Sequence, residues 1–345
     1  MGELPGIDRA AVSKFFAAEV PGGAVPLEFE LLKGGRSNLT YRVRGPERDW
    51  VLRRPPLGFV LPTAHDMARE FRVLSALAST PVPVPRTVAH CSDADLNGAP
   101  FYVMDFCDGV ILHGDLPGGF AESEGEREAM ALSMIGTLAT LHAVDIKAVG
   151  LSEFGRPEGF LERQLRRWSQ QWERSKTREL PAIEALVRAL ERKLPESSAP
   201  AIVHGDYRFG NMALDPLDPS RIVAIFDWEM ATLGDPLTDL GYTLMYWVEA
   251  GDPPNPVQRG DASPPTLRPG FPTRDEIVAE YARRSGRDVS GIDFYQALAF
   301  YKLAVISEGI HARFLQGKTV GEGFGDGGRA AEVLALRGLA LAETL

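Results

Sequence analysis

Cysteine is scarce in this chain, with Cys91 and Cys107 the only two among 345 residues. No metal-ligand spacing joins them, and such sparing use suits a reducing, cytoplasmic setting with both as small buried side chains. Positive charge is also in short supply. The 37 Lys and Arg face 47 Asp and Glu for a net charge of -10, and no long basic tract appears. That balance argues against nucleic acid as a partner. Long apolar runs are missing: the stretch Ala297 to Ile306 is too short to cross a bilayer and carries Lys302. The residues Met1-Gly2-Glu3-Leu4-Pro5 contain no basic segment followed by an apolar run, so neither a signal peptide nor a membrane partner is expected. His-rich ligand spacings are absent, which disfavours a metallohydrolase. No internal repeat or low-complexity array is visible.

What remains is an ordinary globular composition, 44% hydrophobic and 24% charged, on a chain long enough for a two-lobed enzyme. The first hundred residues read as α+β. A short helix fits 8–19, and Phe29 to Lys33 reads as a strand before the turn Gly34-Gly35. Leu39, Tyr41 and Val43 alternate with Thr40, Arg42 and Arg44, the period of a half-buried strand. Trp50 to Arg54 is a third strand, stopped by Pro55-Pro56. Met67, Phe71, Leu74 and Leu77 recur at helical spacing over 64–79, until Pro81-Val82-Pro83-Val84-Pro85 breaks the helix. Strands at 86–91 and 101–106 complete a five-stranded antiparallel sheet. Beyond Gly109 the pattern is helical, over 124–144, 157–174, 181–193, 236–249, 273–285, 291–316 and 327–343. The apolar runs Ala201–Val203 and Ile222–Phe226 read as one small β ribbon, and 251–272, rich in Pro and Gly, as a long loop or lid. A β-rich lobe (1–107) therefore precedes a larger helical lobe (108–345).

Chemistry concentrates in Val203-His204-Gly205-Asp206-Tyr207-Arg208-Phe209-Gly210-Asn211 and Ile225-Phe226-Asp227-Trp228-Glu229. Phosphoryl transfer needs a group that orients and deprotonates an acceptor hydroxyl, and hard oxygen ligands for a Mg2+ that bridges phosphates. An Asp followed by Asn in the next turn, then an Asp at the end of a following strand, supplies those groups in that order. Asp206, Asn211 and Asp227 match in type, order and approximate spacing. A chance set of turn-forming residues is the competing reading, but flanking strand signals and the upstream lobe speak against it.

These motifs resemble the aminoglycoside phosphotransferase and choline kinase superfamily. Gly34-Gly35-Arg36-Ser37-Asn38-Leu39-Thr40-Tyr41, Val51-Leu52-Arg53-Arg54-Pro55-Pro56 and Gly234-Asp235-Pro236-Leu237-Thr238-Asp239-Leu240 are similar to the kinase-like domain at the N-terminus of some acyl-CoA dehydrogenases. The resemblance covers nearly the whole chain. It implies a protein-kinase-like, α+β, two-lobed fold, with ATP or GTP as co-substrate. It also implies Asp206 as catalytic base, Asn211 and Asp227 as magnesium ligands, and His204 as a brace for the loop.

In the first lobe, Gly34, Gly35, Ser37 and Asn38 are expected to bring backbone amides close to phosphates. Kinases carry a Lys on the third strand; this chain offers Arg53 or Arg54. Alternation sets Val51 and Arg53 on one face, so Arg53 is the expected phosphate contact and Glu70 its partner. Met104 and Phe106 belong to the connector strand, where a purine would bind. Asp235 reads as a helix cap, and Asp239 as a tie from helix to catalytic loop. On the helix over 291–316, Tyr301, Val305, Glu308 and His311 share one face, read first as packing. The resemblance implies a small hydroxylated acceptor such as a hydroxyacyl-CoA. The alternatives are an aminoglycoside-type antibiotic kinase and a catalytically inactive nucleotide-binding protein, the latter prompted by Arg in place of Lys.

Overall fold

Alternating strands build the N-terminal sheet as their pattern requires. The computed structural model describes residues 4–32, 38–57, 65–253, 263–317 and 327–345. Strands β1 (Glu28–Leu31), β2 (Leu39–Arg44), β3 (Asp49–Arg54), β4 (Thr87–Cys91) and β5 (Phe101–Asp105) form one antiparallel sheet in the order β1-β2-β3-β5-β4. Tyr41, Val43, Trp50, Leu52, Phe101 and Val103 point to one face, against Val12 and Phe16 of helix α1 (Arg9–Glu19). Removing a side chain of that size from water contributes roughly 1.5–3 kcal/mol.

The opposite face presents Val51, Tyr102 and Met104 to helix α2 (Met67–Leu77). Asp66 caps α2 by accepting the Arg69 N–H at 3.0 Å. Met67, Glu70, Val73, Leu74 and Leu77 are all buried, so a carboxylate interrupts an otherwise apolar stripe. Guanidinium groups fasten the outer side of α2 to the helical part of the chain. Arg69 donates to the carbonyls of Phe154 (2.5 Å) and Ala231 (3.0 Å), and Arg72 donates to Gly150 (3.1 Å). A four-residue helix α3 (Ala94–Asn97), which the sequence reading lacks, precedes β5.

The second part holds α4 (Glu124–His142), α5 (Phe160–Ser175), α6 (Pro181–Arg192), α7 (Leu237–Tyr246), α8 (Arg274–Ser285), α9 (Ile292–Leu315) and α10 (Gly327–Ala342). Capping boxes, Ser123 with Glu126 and Thr273 with Glu276, start α4 and α8. Helix α7 crosses α9 at Gly241, where a Cβ would lie 2.5 Å from the Tyr295 carbonyl carbon. Only glycine allows that approach. The same apolar core continues from Val51 and Met104 through α4, α7 and α9.

Four short strands correct the expectation of a single ribbon. β6 (Ala201–Val203) pairs with β9 (Thr232–Gly234), while β7 (Met212–Leu214) pairs with β8 (Ile222–Ile225). Each apolar run thus has its own partner, a three-residue strand too short to show periodicity in sequence. Of the expected lid, residues 251–253 and 263–272 are described, including a 3-10 turn at Pro265–Leu267. Among the described residues no helix is long and apolar enough to cross a membrane.

Candidate active site

The two small sheets deliver the chemical residues to one place. β6 leads into His204-Gly205-Asp206, and Gly205 takes φ +86°, where an added Cβ would sit 2.8 Å from that of Met230. A side chain there is barred by both backbone and space. Asp239, in the first turn of α7, accepts the N–H groups of His204 and Gly205, each at 2.7 Å. Its third partner is His142 Nε2 at 3.2 Å, and His142 Nδ1 meets the Tyr281 hydroxyl at 2.7 Å. An ionised carboxylate only accepts, so Nε2 carries the proton and Tyr281 donates to Nδ1. Burial alone would raise the Asp239 pKa; His142, His204 and the Gly205 N–H outweigh it and hold the carboxyl below the usual range. Burial likewise keeps His142 below the usual imidazole range.

His204 braces the same loop from the other side. Its Nε2 donates to the Phe226 carbonyl at 2.8 Å, and its Nδ1 accepts the Asp206 N–H at 3.2 Å. The cap position of α7 falls to Pro236 and not, as expected, to Asp235, which lies one residue earlier, accepts the Leu237 N–H at 3.1 Å and also holds Ser198 and the Tyr295 hydroxyl.

Asp206 projects from this clamped loop. Arg208 Nε donates to its Oδ1 at 3.0 Å and Asn211 Nδ2 to its Oδ2 at 2.8 Å. The β7–β8 pairing sets Asn211 beside the neighbouring strand's end, with the Phe226 N–H on the Asn211 carbonyl at 2.8 Å. Asp227 follows in the left-handed region at φ 65°, ψ 58°, a conformation that costs a non-glycine residue about 1–3 kcal/mol. The described side chains of 206, 211 and 227 therefore occupy one end of one ribbon.

Arg53 reaches that ribbon from the sheet, donating to Glu70 Oε2 at 3.0 Å and to Asp227 Oδ1 at 2.5 Å. Burial pushes the Glu70 carboxyl up, against the pull of Arg53. Burial also works against the Arg53 charge, but Glu70, Asp227 and Glu229 hold it fully protonated. Arg54 points away, to the carbonyls of Gly6 and Asn97.

Asn38 Nδ2 donates to Glu229 Oε2 at 2.9 Å, tying the end of the glycine segment to the Asp-Trp-Glu segment. The Asn38 side-chain oxygen is buried with no hydrogen-bond partner among the described residues. Gly34, Gly35 and Ser37 lie outside those residues. Met104 sits inside the ladder, opposite Val51 and Thr87, with its side chain in the core. Phe106 gives its N–H to the Asp49 carbonyl at 3.3 Å and its ring to the Arg42 guanidinium at 4.1 Å.

No cluster of three or more His, Cys, Asp or Glu that could hold a metal occurs among the described residues. Asn211 and Asp227 nevertheless fit magnesium. The Asn211 amide nitrogen is spent on Asp206, which leaves its side-chain oxygen, and Asp227 keeps Oδ2 beyond its bond to Arg53. Few protein oxygens plus phosphates and water are the usual shell of Mg2+.

Two cations escaped the sequence reading of the site. Arg208 holds Asp206, and Lys302, from mid-α9, donates to the Gly205 carbonyl at 2.6 Å. A lone lysine inside an apolar helical stretch was the available signal for the second. Elsewhere on α9, Tyr301 bonds Ser169, and buried Glu308 accepts from Thr177, which is packing.

The clamp yields a first test. Asp239→Asn would turn an amide towards N–H groups that need an acceptor, so unfolding free energy should fall by about 2–4 kcal/mol. Urea denaturation checks this, and an unchanged midpoint would show that the loop holds itself.

Comparison with known proteins follows the same outline. Residues 28–287 match the model of the phosphotransferase enzyme family. Mouse acyl-CoA dehydrogenase family member 10 is 34% identical over 312 residues, covering 90% of this chain but 29% of the mouse protein. The chain thus spans under a third of that relative. A crystal structure from Ralstonia eutropha JMP134, provisionally described as an aminoglycoside phosphotransferase, is 34% identical with a TM-score of 0.83, covering 98% of both chains. A mutant of aminoglycoside phosphotransferase APH(4)-Ia in complex with AMP-PNP and hygromycin B shares the fold, with a TM-score of 0.63 at 15% identity over 96% of this chain and 98% of that one.

Proposed function

This chain belongs to the phosphotransferase enzyme family, and from that premise we propose that it moves the γ-phosphoryl group of ATP or GTP to a hydroxyl on a small molecule. The observation that carries the reading is the convergence of Asp206, Asn211, Asp227 and Arg53, from separate elements, with Glu70 buried behind Arg53. Asp206 accepts the acceptor's hydroxyl proton as the new oxygen–phosphorus bond forms. The bond from the γ-phosphorus to the β,γ-bridging oxygen breaks, and nucleoside diphosphate leaves. Asn211 and Asp227 would hold Mg2+, which neutralises phosphate charge when bound. Arg53 would contact phosphate, supported from behind by Glu70. The segment Gly34, Gly35, Ser37 and Asn38 would cover the phosphates, and Met104 and Phe106 would border the base. We place the division between the nucleotide lobe and the acceptor lobe at 107/108.

The relative's name, an acyl-CoA dehydrogenase family member, supports a hydroxyacyl compound, such as a hydroxyacyl-CoA, as acceptor. Diphosphate release should rise at least tenfold over background with some member of a hydroxyacyl thioester panel, a margin that one or two good acceptor contacts supply. Release with aminoglycosides instead would assign the chain to drug modification. Nucleotide binding without release on any acceptor would make it an inactive binding protein.

A further inference from the structure

Charge on the acceptor side of Asp206 distinguishes among acceptors. Aminoglycosides and choline are cations, and their recognition calls for carboxylates or an aromatic cage. Here two cations stand on either side of the base. The Lys302 ammonium lies 4.5 Å from the centroid of the Tyr242 ring. The Tyr242 and Tyr246 rings are 5.4 Å apart, and the Arg208 guanidinium lies 5.3 Å over Tyr246. Lys302, Tyr242, Tyr246 and Arg208 thus run as an unbroken strip past Asp206: cation, two aromatic rings, cation.

The acidic groups nearby are already committed. Asp239 is fully buried and spent on the loop amides and His142, and Asp206 is the base itself. Arg167 adds a further positive charge near Lys302. Lys302 uses one of its three donors on Gly205, and the other two have no hydrogen-bond partner among the described residues. Lys302 is half-buried on a largely apolar helix, where an anionic or strongly polar partner offsets the loss of water around an ammonium. Gly205 immediately precedes Asp206, so an oxygen gripped by Lys302 lies within a few bonds of the reacting hydroxyl.

We propose that Lys302, with Arg208, forms an acceptor subsite that takes an acyl oxygen, carboxylate or thioester carbonyl, close to the acceptor hydroxyl and rejects cationic acceptors. This rests on the phosphotransfer reading only in that Asp206 meets the hydroxyl. Lys302 is then the residue that sets acceptor specificity.

The test compares hydroxybutyrate, hydroxybutyryl-CoA, butanediol and aminobutanol. Binding is measured by calorimetry with a non-hydrolysable nucleotide present, and turnover separately by diphosphate release. Wild type should bind at least one acyl probe about tenfold or more tightly than butanediol or aminobutanol, the scale of one charged contact. Lys302→Met should bring that ratio close to one, and Lys302→Arg should restore it. Preference for hydroxybutyrate identifies a free carboxylate as the group held; preference for the thioester identifies its carbonyl. Nucleotide affinity equal in wild type and Lys302→Met shows that the ratio does not report misfolding. A ratio that survives Lys302→Met, equal binding of all four probes by wild type, or tightest binding of aminobutanol would each overturn the proposal. Lysine-dependent acyl binding without diphosphate release would end the phosphotransfer reading and leave the subsite standing.

Discussion

Replacing Asp206 with alanine should lower turnover by about 10²–10⁴-fold, the usual contribution of a positioned general base, with nucleotide affinity changed only a few-fold. The asymmetry follows from position. Asp206 bonds Arg208 and Asn211, whereas Arg53 bonds Glu70 and Asp227, so the substitution leaves the bonds of the phosphate-side group intact. The loop should keep its shape, because Asp239 and His204 hold it through main-chain groups that the substitution leaves intact. Steady-state diphosphate release gives the first quantity and calorimetric titration with nucleotide the second. Turnover like that of wild type would remove Asp206 from the role of base. Matching losses of turnover and nucleotide affinity would instead make it part of the nucleotide site.

The second large effect concerns stability. Arg53→Met leaves Glu70 buried without its cation, and breaking one side of a buried pair costs about 3–5 kcal/mol. Adding Glu70→Gln should return most of that loss, because the charge needing a partner is then gone, and a double-mutant cycle measures the coupling. The single variant should also acquire a pH dependence. Burial raises the folded-state pKa of Glu70 above its ordinary value of 4.5, and Arg53 is the main opposing influence. A carboxyl raised on folding binds more protons folded than unfolded between the two pKa values. Stability is therefore full below the unfolded value and is lost as pH rises through the folded one. Arg53→Met should be more stable to urea at pH 5 than at pH 8, and the double variant should show little of that difference. Identical midpoints at both pH values would mean that water reaches Glu70.

How far the sequence anticipates this arrangement depends on the length of each signal. Strands β2, β3 and β5 and the longer helices show their periods over enough residues to be read directly. The Val51–Arg53 alternation separates Arg53 from Arg54, and the structure sends the two in different directions. The four three- and four-residue strands around the loop carry too few positions for a period, so their pairing was misassigned. Residues distant in sequence yet clamped together leave no local trace. Tyr281 and His142 are separated by α5, α6 and α7 and meet only because α8 packs on α4. Asn38 and Glu229 meet by a similar route. Arg208 was legible as a cation two residues past Asp206, but nothing in the spacing shows that its Nε turns back to that carboxylate.

Fastening of α2 has a consequence for control. To carry Glu70 away from Arg53, this helix would have to give up its guanidinium bonds to Phe154, Ala231 and Gly150 together, along with the apolar contacts beneath it. An outward swing of α2 is thus an expensive movement. On the proposed function, the pairing of Glu70 with Arg53 would then need no separate step to bring it together.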